Sequence, residues 1–327
     1  MPASAITARQ LAVAIQLTAT AGTAAALWYW LGWSLPLAAG VAILVYLLLF
    51  ALSVGLAFLM TFHGIGVPPS ARPRLPAHLS LPAPLSFAAA CRCWLRECVA
   101  VWRMFNFIQP FRSGWAWPSP TVLHPSLPPL LLIHGYGCNH AVWQDLEPKL
   151  ARAGYHCEGL DLHPLLGDID NYGRQIATHA ARLHARHGTA PILICHSMGG
   201  LAARAALRIE RHANAGTSIA HLITLGTPHQ GTALARHGQG CNARQMQCGG
   251  NWLAELGRGE TAGERARVTS IFSWHDSIVG PPGTGWLEGA QHRLLSGLGH
   301  VSLLTEDVAH ETVLAVLAEL QAPQRVM

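Results

Sequence analysis

The segment PILICHSMGGLAAR, Pro191 to Arg204, places four apolar residues before His196-Ser197-Met198-Gly199-Gly200 and then continues at helical spacing. It reads as strand, sharp turn and helix, with Ser197 at the turn. A serine hydroxyl attacks a carbonyl only when it is held clear of the backbone and presented to a base. A tight turn does this, and it needs small residues two positions before and after the serine. Gly199 meets the second requirement, whereas Cys195 stands where glycine is usual and crowds the turn with a small thiol. Met198 opens the helix, so its backbone N–H lies where negative charge is favoured and is a candidate oxyanion donor.

An oxyanion needs a second donor. LLIHGYGCN supplies one: an apolar run ends at His134-Gly135, and the chain turns where the Tyr136 N–H can face the serine. His134 precedes the serine and is set aside as the base, because the chain order Ser, acid, His puts the base later. SGLGHVSLL offers His300 after a Gly-x-Gly turn, and FSWHDSIVGPP offers Asp276 at the end of an apolar run. An acid there orients the imidazole and stabilises its protonated form. His275 adjoins Asp276 and points to the other side of an extended chain. Glu306 and Asp307 read as N-terminal charges of a last helix, and Asp161, Asp168 and Asp170 as loop and helix-cap residues. His229 has no partner set that would make it a metal ligand.

These residues need elements to position them. From residue 128 onward six short apolar runs, PLLLIHG, HCEGLDL, PILICHS, HLITLGTP, RVTSIFSWHD and QHRLLSG, alternate with segments that carry apolar residues every three or four positions. That alternation predicts an α/β domain with a mostly parallel sheet covered by helices on both faces. About 200 residues suffice for one such core.

IHGYG, CHSMGG, LGTPHQGT, SWHDSIVGP and GLGHVSLL occur in one order over residues 128–320 and together resemble the α/β-hydrolase fold. More narrowly, the set is similar to bacterial triacylglycerol lipases and GPI-inositol-deacylase-like esterases. Some bacterial lipases of this type carry alanine at the position of Cys195. The resemblance implies Ser197 as nucleophile, His300 as base, Asp276 as acid, Tyr136 and Met198 as oxyanion donors, an ester or lipid substrate, and no cofactor or metal. In such lipases the segment after GTPH-x-G passes over the mouth of the site, so the glycine-rich stretch within residues 228–252 has two open readings, a lid or acyl-binding cap and an ordinary surface excursion.

The first third of the chain has another character. The sequence is 50% hydrophobic and only 12% charged. The imbalance is local, since no Asp, Glu, Lys or Arg occurs between Arg9 and Arg72. A membrane-crossing helix needs about 20 apolar residues. The stretch therefore holds two spans, at about 11–33 and 37–61, with a break at GWSLP. It is too long for a single signal peptide. Arg9, Arg72 and Arg74 flank an uncharged turn, so the positive-inside rule puts both ends of the hairpin and the catalytic body on the cytoplasmic side of a bacterial-type inner membrane. The expected layout is a transmembrane hairpin over 1–66, a Pro-rich linker with a basic amphipathic helix over 67–127, and the α/β-hydrolase domain over 128–327. In the helix FAAACRCWLRECVAVWRMFNF, Arg92, Arg96 and Arg103 share one edge. Two readings stay open there: a basic face on lipid phosphates, or a helix packed on the body with a solvated arginine edge. The net charge of +5 is too dispersed to argue for nucleic acid. Eight scattered cysteines fit free thiols, with a Cys241–Cys248 bridge as the alternative.

The expectation is a membrane-anchored serine esterase or lipase. A non-catalytic membrane scaffold or transport-associated protein of hydrolase shape, and an acyltransferase using the same three residues, are the competing readings.

Overall fold

The computed structural model describes residues 5–77, 79–114, 126–212 and 218–322. The last part of the linker region expected over 67–127 falls at 115–125, outside the described residues. Helices α1 (Ala5–Leu31) and α2 (Leu35–His63) form an antiparallel hairpin, followed by α3 (Phe87–Arg103), a wide helical turn at Met104–Ile108, and the short α4 (Gln109–Phe111). Then come β1 (Leu130–Ile133), α5 (Glu147–Arg152), β2 (Cys157–Leu160), α6 (Ile169–His187), β3 (Ile192–His196) and α7 (Met198–His212). β4 (His221–Leu225) leads to three short helices, α8 (Gly240–Gln245), α9 (Asn251–Gly259) and α10 (Ala262–Ala266). β5 (Val268–Ser273), β6 (Gln291–Leu295) and α11 (Asp307–Gln321) complete the body.

All six apolar runs form strands, paired in parallel in the order β2-β1-β3-β4-β5-β6. Such strands are buried on both faces and so read as continuous apolar runs rather than alternating ones. Successive side chains go to opposite faces. Leu131, Ile133, Leu193, Cys195 and Leu222 pack under α6 and α7. Leu130, Leu132, Ile192, Ile194, Ile223 and Ile271 pack with Ala100 of α3 and Val313 and Leu317 of α11. Each buried Leu or Ile contributes about 1.5–3 kcal/mol, so the sheet is the stabilising centre. The order of connection reverses at β1 and β3, and in open parallel sheets the carboxyl edge at such a reversal is where ligands bind.

The hairpin has no comparable core. α1 buries Ala5, and α2 buries Ala38, Ala42, Val54 and Thr61, while Leu11, Ile15, Leu17, Leu48, Leu52 and Leu56 lie exposed. Both helices, of 27 and 29 residues, are long and apolar enough to cross a membrane by length and composition. α1 starts six residues before the predicted span and stops two short of its end, and α2 extends two residues beyond its span at either end. The hairpin docks on the body through its two terminal ends. Arg9 Nε and Nη2 donate to Gly137 O at 3.1 and 2.6 Å, and Gln10 Nε2 donates to Pro110 O at 3.0 Å. From α2, Thr61 Oγ1 donates to Ser277 O at 3.0 Å.

Of the two readings of α3, the structure takes the packed one and corrects its polarity. Arg103 makes a two-pronged contact with Asp145 at 2.5 and 2.7 Å, and Arg96 approaches Glu306 at 3.7 Å. Two of the three arginines, Arg96 and Arg103, therefore meet body carboxylates, while Arg92 is exposed. The outward face is apolar, with Leu95 58% and Val99 59% exposed beside Trp94 and Trp102. Trp94 Nε1 donates to Ala51 O of α2 at 3.0 Å, which ties this face to the hairpin.

Candidate active site

Ser197 leaves β3 with φ of 55°, a left-handed conformation that a non-glycine residue adopts only under local constraint. Its N–H donates to Leu225 O of β4 at 2.9 Å, and its carbonyl accepts from Thr227 Oγ1 at 2.8 Å. Both bonds use the backbone, and among the described residues the hydroxyl makes no hydrogen bond. Cys195 does not spoil the turn. It points away from it, fully buried among the residues under α6 and α7, and burial pushes its thiol pKa up. The close approach falls instead at Gly199, where a Cβ would lie 2.6 Å from His134 O and 2.8 Å from Ile133 O. Only glycine lets α7 start so near β1.

Asp276 follows β5 and His300 follows β6. Asp276 Oδ1 accepts from the N–H groups of Ile278 and Val279 at 2.8 and 2.7 Å. Its Oδ2 lies 2.9 Å from His300 Nδ1, and both residues are buried. Burial by itself pushes the His300 imidazole toward the neutral form. The Asp276 charge and hydrogen bond, with help from Glu97, outweigh it and raise the pKa above the ordinary 6.5. Ser197 and His300 line one cavity of about 390 Å³. Among the described residues no hydrogen bond joins the serine hydroxyl to the ring, a spacing that commonly closes only when substrate binds.

Tyr136 borders the same space, and Met198 directly follows Ser197 without lining it. Tyr136 lines the cavity, and its N–H donates to no group among the described residues. Met198 is the first residue of α7, where N–H groups have no intrahelical partner. The Tyr136 hydroxyl is tied elsewhere, donating to Gln239 O at 2.9 Å and accepting from Gln239 N–H at 3.0 Å. The arrangement offers a hydroxyl and a carboxylate-oriented imidazole on one largely apolar cavity, with the Tyr136 N–H beside it and the N-terminus of α7 starting at the next residue after the serine.

The residues set aside in the sequence lie elsewhere. His134 is buried and uses both ring nitrogens, Nδ1 with Gly135 O at 2.9 Å and Nε2 with Leu162 N–H at 3.0 Å. Burial lowers its pKa. His275 stacks on Phe62, and its Nδ1 accepts from Gly297 N–H. Asp168 caps α6, Asp161 holds His140, and Asp307 pairs with Lys149. His229 is buried between Thr224 and Arg204. All eight cysteines are free thiols.

Of the two readings of residues 228–252, the structure favours the surface excursion. No residue of 228–252 lines the cavity. That segment is pinned to α6 and its approach: Asn242 Nδ2 donates to Leu165 O, and Gln245 Oε1 accepts from Ile169 N–H at 2.8 Å. The cavity is covered by the hairpin instead, through Arg9, Ala12, Gln16 and Phe50. A larger apolar groove of about 880 Å³ lies between α2 and α3 and reaches the far side of Asp276 without touching Ser197.

Two contributors escaped the sequence reading. Glu97, fully buried on α3, accepts from Ser277 Oγ, Val301 N–H, Ser302 N–H and Ser302 Oγ at 2.6–2.9 Å. It thus joins the loop carrying Asp276 to the loop carrying His300. Gly226 is the other. At φ of 57°, a Cβ there would lie 3.1 Å from both Asp276 Oδ2 and His300 Nδ1 and 2.9 Å from Leu303. Gly226→Ala is expected to destabilise the body by about 1–2 kcal/mol through its left-handed backbone. It should also part the acid from the imidazole. Thermal unfolding and ester hydrolysis measured on the same preparation check this.

Comparison with known proteins agrees with the geometry. Residues 172–271 match the PGAP1-like alpha/beta domain, a stretch that includes Ser197 but neither Asp276 nor His300. Among curated proteins none matches the chain in sequence. The structure is similar to the Bacillus licheniformis lipase BlEst2 in mature form, at 19% identity and a TM-score of 0.54, covering 62% of this chain and 96% of that one. It is also similar to Aspergillus fumigatus lipase B, at 16% identity and a TM-score of 0.51, covering 76% of this chain and 64% of that one. The chain is therefore an α/β-hydrolase in fold, with solved lipases as structural neighbours and a PGAP1-like alpha/beta segment at its centre.

Proposed function

We propose that the chain is a membrane-anchored serine esterase of lipase type. The observation that carries this reading is the convergence of Ser197 and the Asp276-bound His300 imidazole on one cavity at the carboxyl end of the sheet. Ser197 Oγ attacks the acyl carbon and its proton passes to His300. The carbonyl oxygen becomes an oxyanion held by the Tyr136 and Met198 N–H groups. The ester C–O bond breaks, and the leaving alkoxide takes the proton from His300. Water, deprotonated by the same imidazole, then releases the acid and restores the serine. In this reading the hairpin crosses the membrane, and Arg9, Arg72 and Arg74 at its body end support a body on the cytoplasmic side.

Purified full-length protein in detergent is expected to hydrolyse nitrophenyl esters, with a preference for long over short acyl chains. No hydrolysis at any chain length would sink the esterase reading and favour a scaffold.

The pH profile follows from the raised His300 pKa. A base must be neutral, so kcat/KM is expected to fall on acidification with a midpoint above pH 6.5. In Asp276→Asn the partner charge is gone, so the residual activity should have its midpoint shifted downward. A midpoint at or below 6.5 in the unaltered protein would contradict the assignment of His300.

A further inference from the structure

The cavity that holds Ser197 and His300 continues into the hairpin and contains one permanent positive charge. From Arg9 to Gln16, both in its lining, α1 advances about 10 Å at 1.5 Å per residue. The slot therefore runs from the body toward the apolar middle of the hairpin. At its far end the Tyr46 hydroxyl of α2 donates to Gln16 Oε1 at 3.0 Å. At its near end the Arg9 guanidinium lies 4.3 Å from the Phe105 ring centroid. Nε and Nη2 both donate to Gly137 O, while Nη1 makes no hydrogen bond among the described residues. No Asp or Glu is among the residues lining the slot.

A guanidinium held against apolar walls is unfavourable unless acceptors or a counter-charge satisfy it, and one carbonyl serves only two of its five N–H groups. Its fork matches a phosphate. Gly137 directly follows Tyr136. The Tyr136 N–H and the Gly137 carbonyl are separated by at most two residue spans, about 7 Å, so an anion on Arg9 would share one corner of the cavity with the oxyanion position. In a glycerophospholipid only a few bonds separate the phosphate from the acyl ester.

Resting on the esterase reading, we propose that the substrate is a glycerophospholipid of the surrounding bilayer. Arg9 binds its phosphate, one acyl chain lies in the slot between α1 and α2, and the ester beside the phosphate meets Ser197. The products are a fatty acid and a lysophospholipid.

The test uses ether-linked lipids, which bind without being cleaved. Full-length protein in detergent micelles is titrated with a dialkyl phosphatidylcholine and with the neutral dialkylglycerol of equal chain length. Binding is read by quenching of the tryptophans. The unaltered protein should prefer the phospholipid by tenfold or more. The preference should collapse in Arg9→Gln and survive in part in Arg9→Lys, with circular dichroism checking the fold of each. Equal affinity of the unaltered protein for the two lipids, or an undiminished preference in a folded Arg9→Gln, would overturn the proposal. Because no bond is broken, a retained preference in a protein that cleaves no ester would sink the esterase reading alone.

Discussion

Ser197→Ala is expected to reduce kcat for ester hydrolysis on the order of 10⁶-fold, the scale seen when a triad nucleophile is removed. That corresponds to about 8 kcal/mol of lost transition-state stabilisation. KM should change little, because the side chain contributes to the reaction rather than to ground-state binding. Covalent labelling by a fluorophosphonate should disappear. His300→Ala should fall in the same range, and the double variant should be no worse than either single one, since the two groups act as a unit. The fold should persist in Ser197→Ala, because the Leu225 and Thr227 contacts use the serine backbone and survive the change. Ser197→Gly gives a second readout. The positive φ at this residue stores of order 1–3 kcal/mol, and glycine releases it. That variant should be as inactive as the alanine form but more resistant to thermal unfolding. Labelling that persists in Ser197→Ala would place the nucleophile elsewhere.

The placement of these groups was legible because the body is a parallel sheet. Strands buried on both faces announce themselves as apolar runs, and residues just past the carboxyl ends of neighbouring strands must come together. Ser197, Asp276 and His300 follow β3, β5 and β6, so their order in the chain carried their proximity. The cover of the cavity was not legible. The glycines around residues 228–252 suggested a pliable flap, yet Asn242 and Gln245 fasten that segment to α6 and its approach. The hairpin, read from composition as an anchor, supplies the roof. The same limit governed α3. Arg96 and Arg103 looked free for lipid because their partners, Glu306 and Asp145, lie on elements that only the fold brings near. Glu97 left a sign that could have been used: it is the only Asp or Glu in the first 144 residues. A lone acid on a helix rich in tryptophan, cysteine and arginine has no neighbour in sequence to explain it, apart from the adjacent Arg96. Its purpose lay in two loops some 200 residues further on.

Removing Glu97 is therefore expected to give the largest loss of stability of any change outside the sheet. Its carboxylate accepts two backbone N–H groups and two serine hydroxyls, all buried. Glu97→Leu fills similar space but strands those donors, and each stranded buried donor costs about 1–3 kcal/mol. Some of them will find other partners as the loops relax. The net cost should be about 3–5 kcal/mol, at the upper end for a single substitution. At about 2–4 °C per kcal/mol for a body of this size, that is a fall in Tm of about 6–20 °C. Glu97→Gln keeps the shape and one good acceptor, so it should fold and lose less. It also separates positioning from mere support. The Glu97 charge helps hold the His300 pKa up, and without it the imidazolium is less favoured. The acid limb of the pH profile should accordingly move to lower pH in Glu97→Gln. In the same variant kcat should drop tenfold or more while KM stays within a factor of two, because the loops bearing Asp276 and His300 lose their common tie. Glu97→Asp, with its shorter reach, should recover part of the charge effect and little of the geometry. A Glu97→Gln protein with unaltered kcat and an unmoved acid limb would show that the buried carboxylate supports the fold alone.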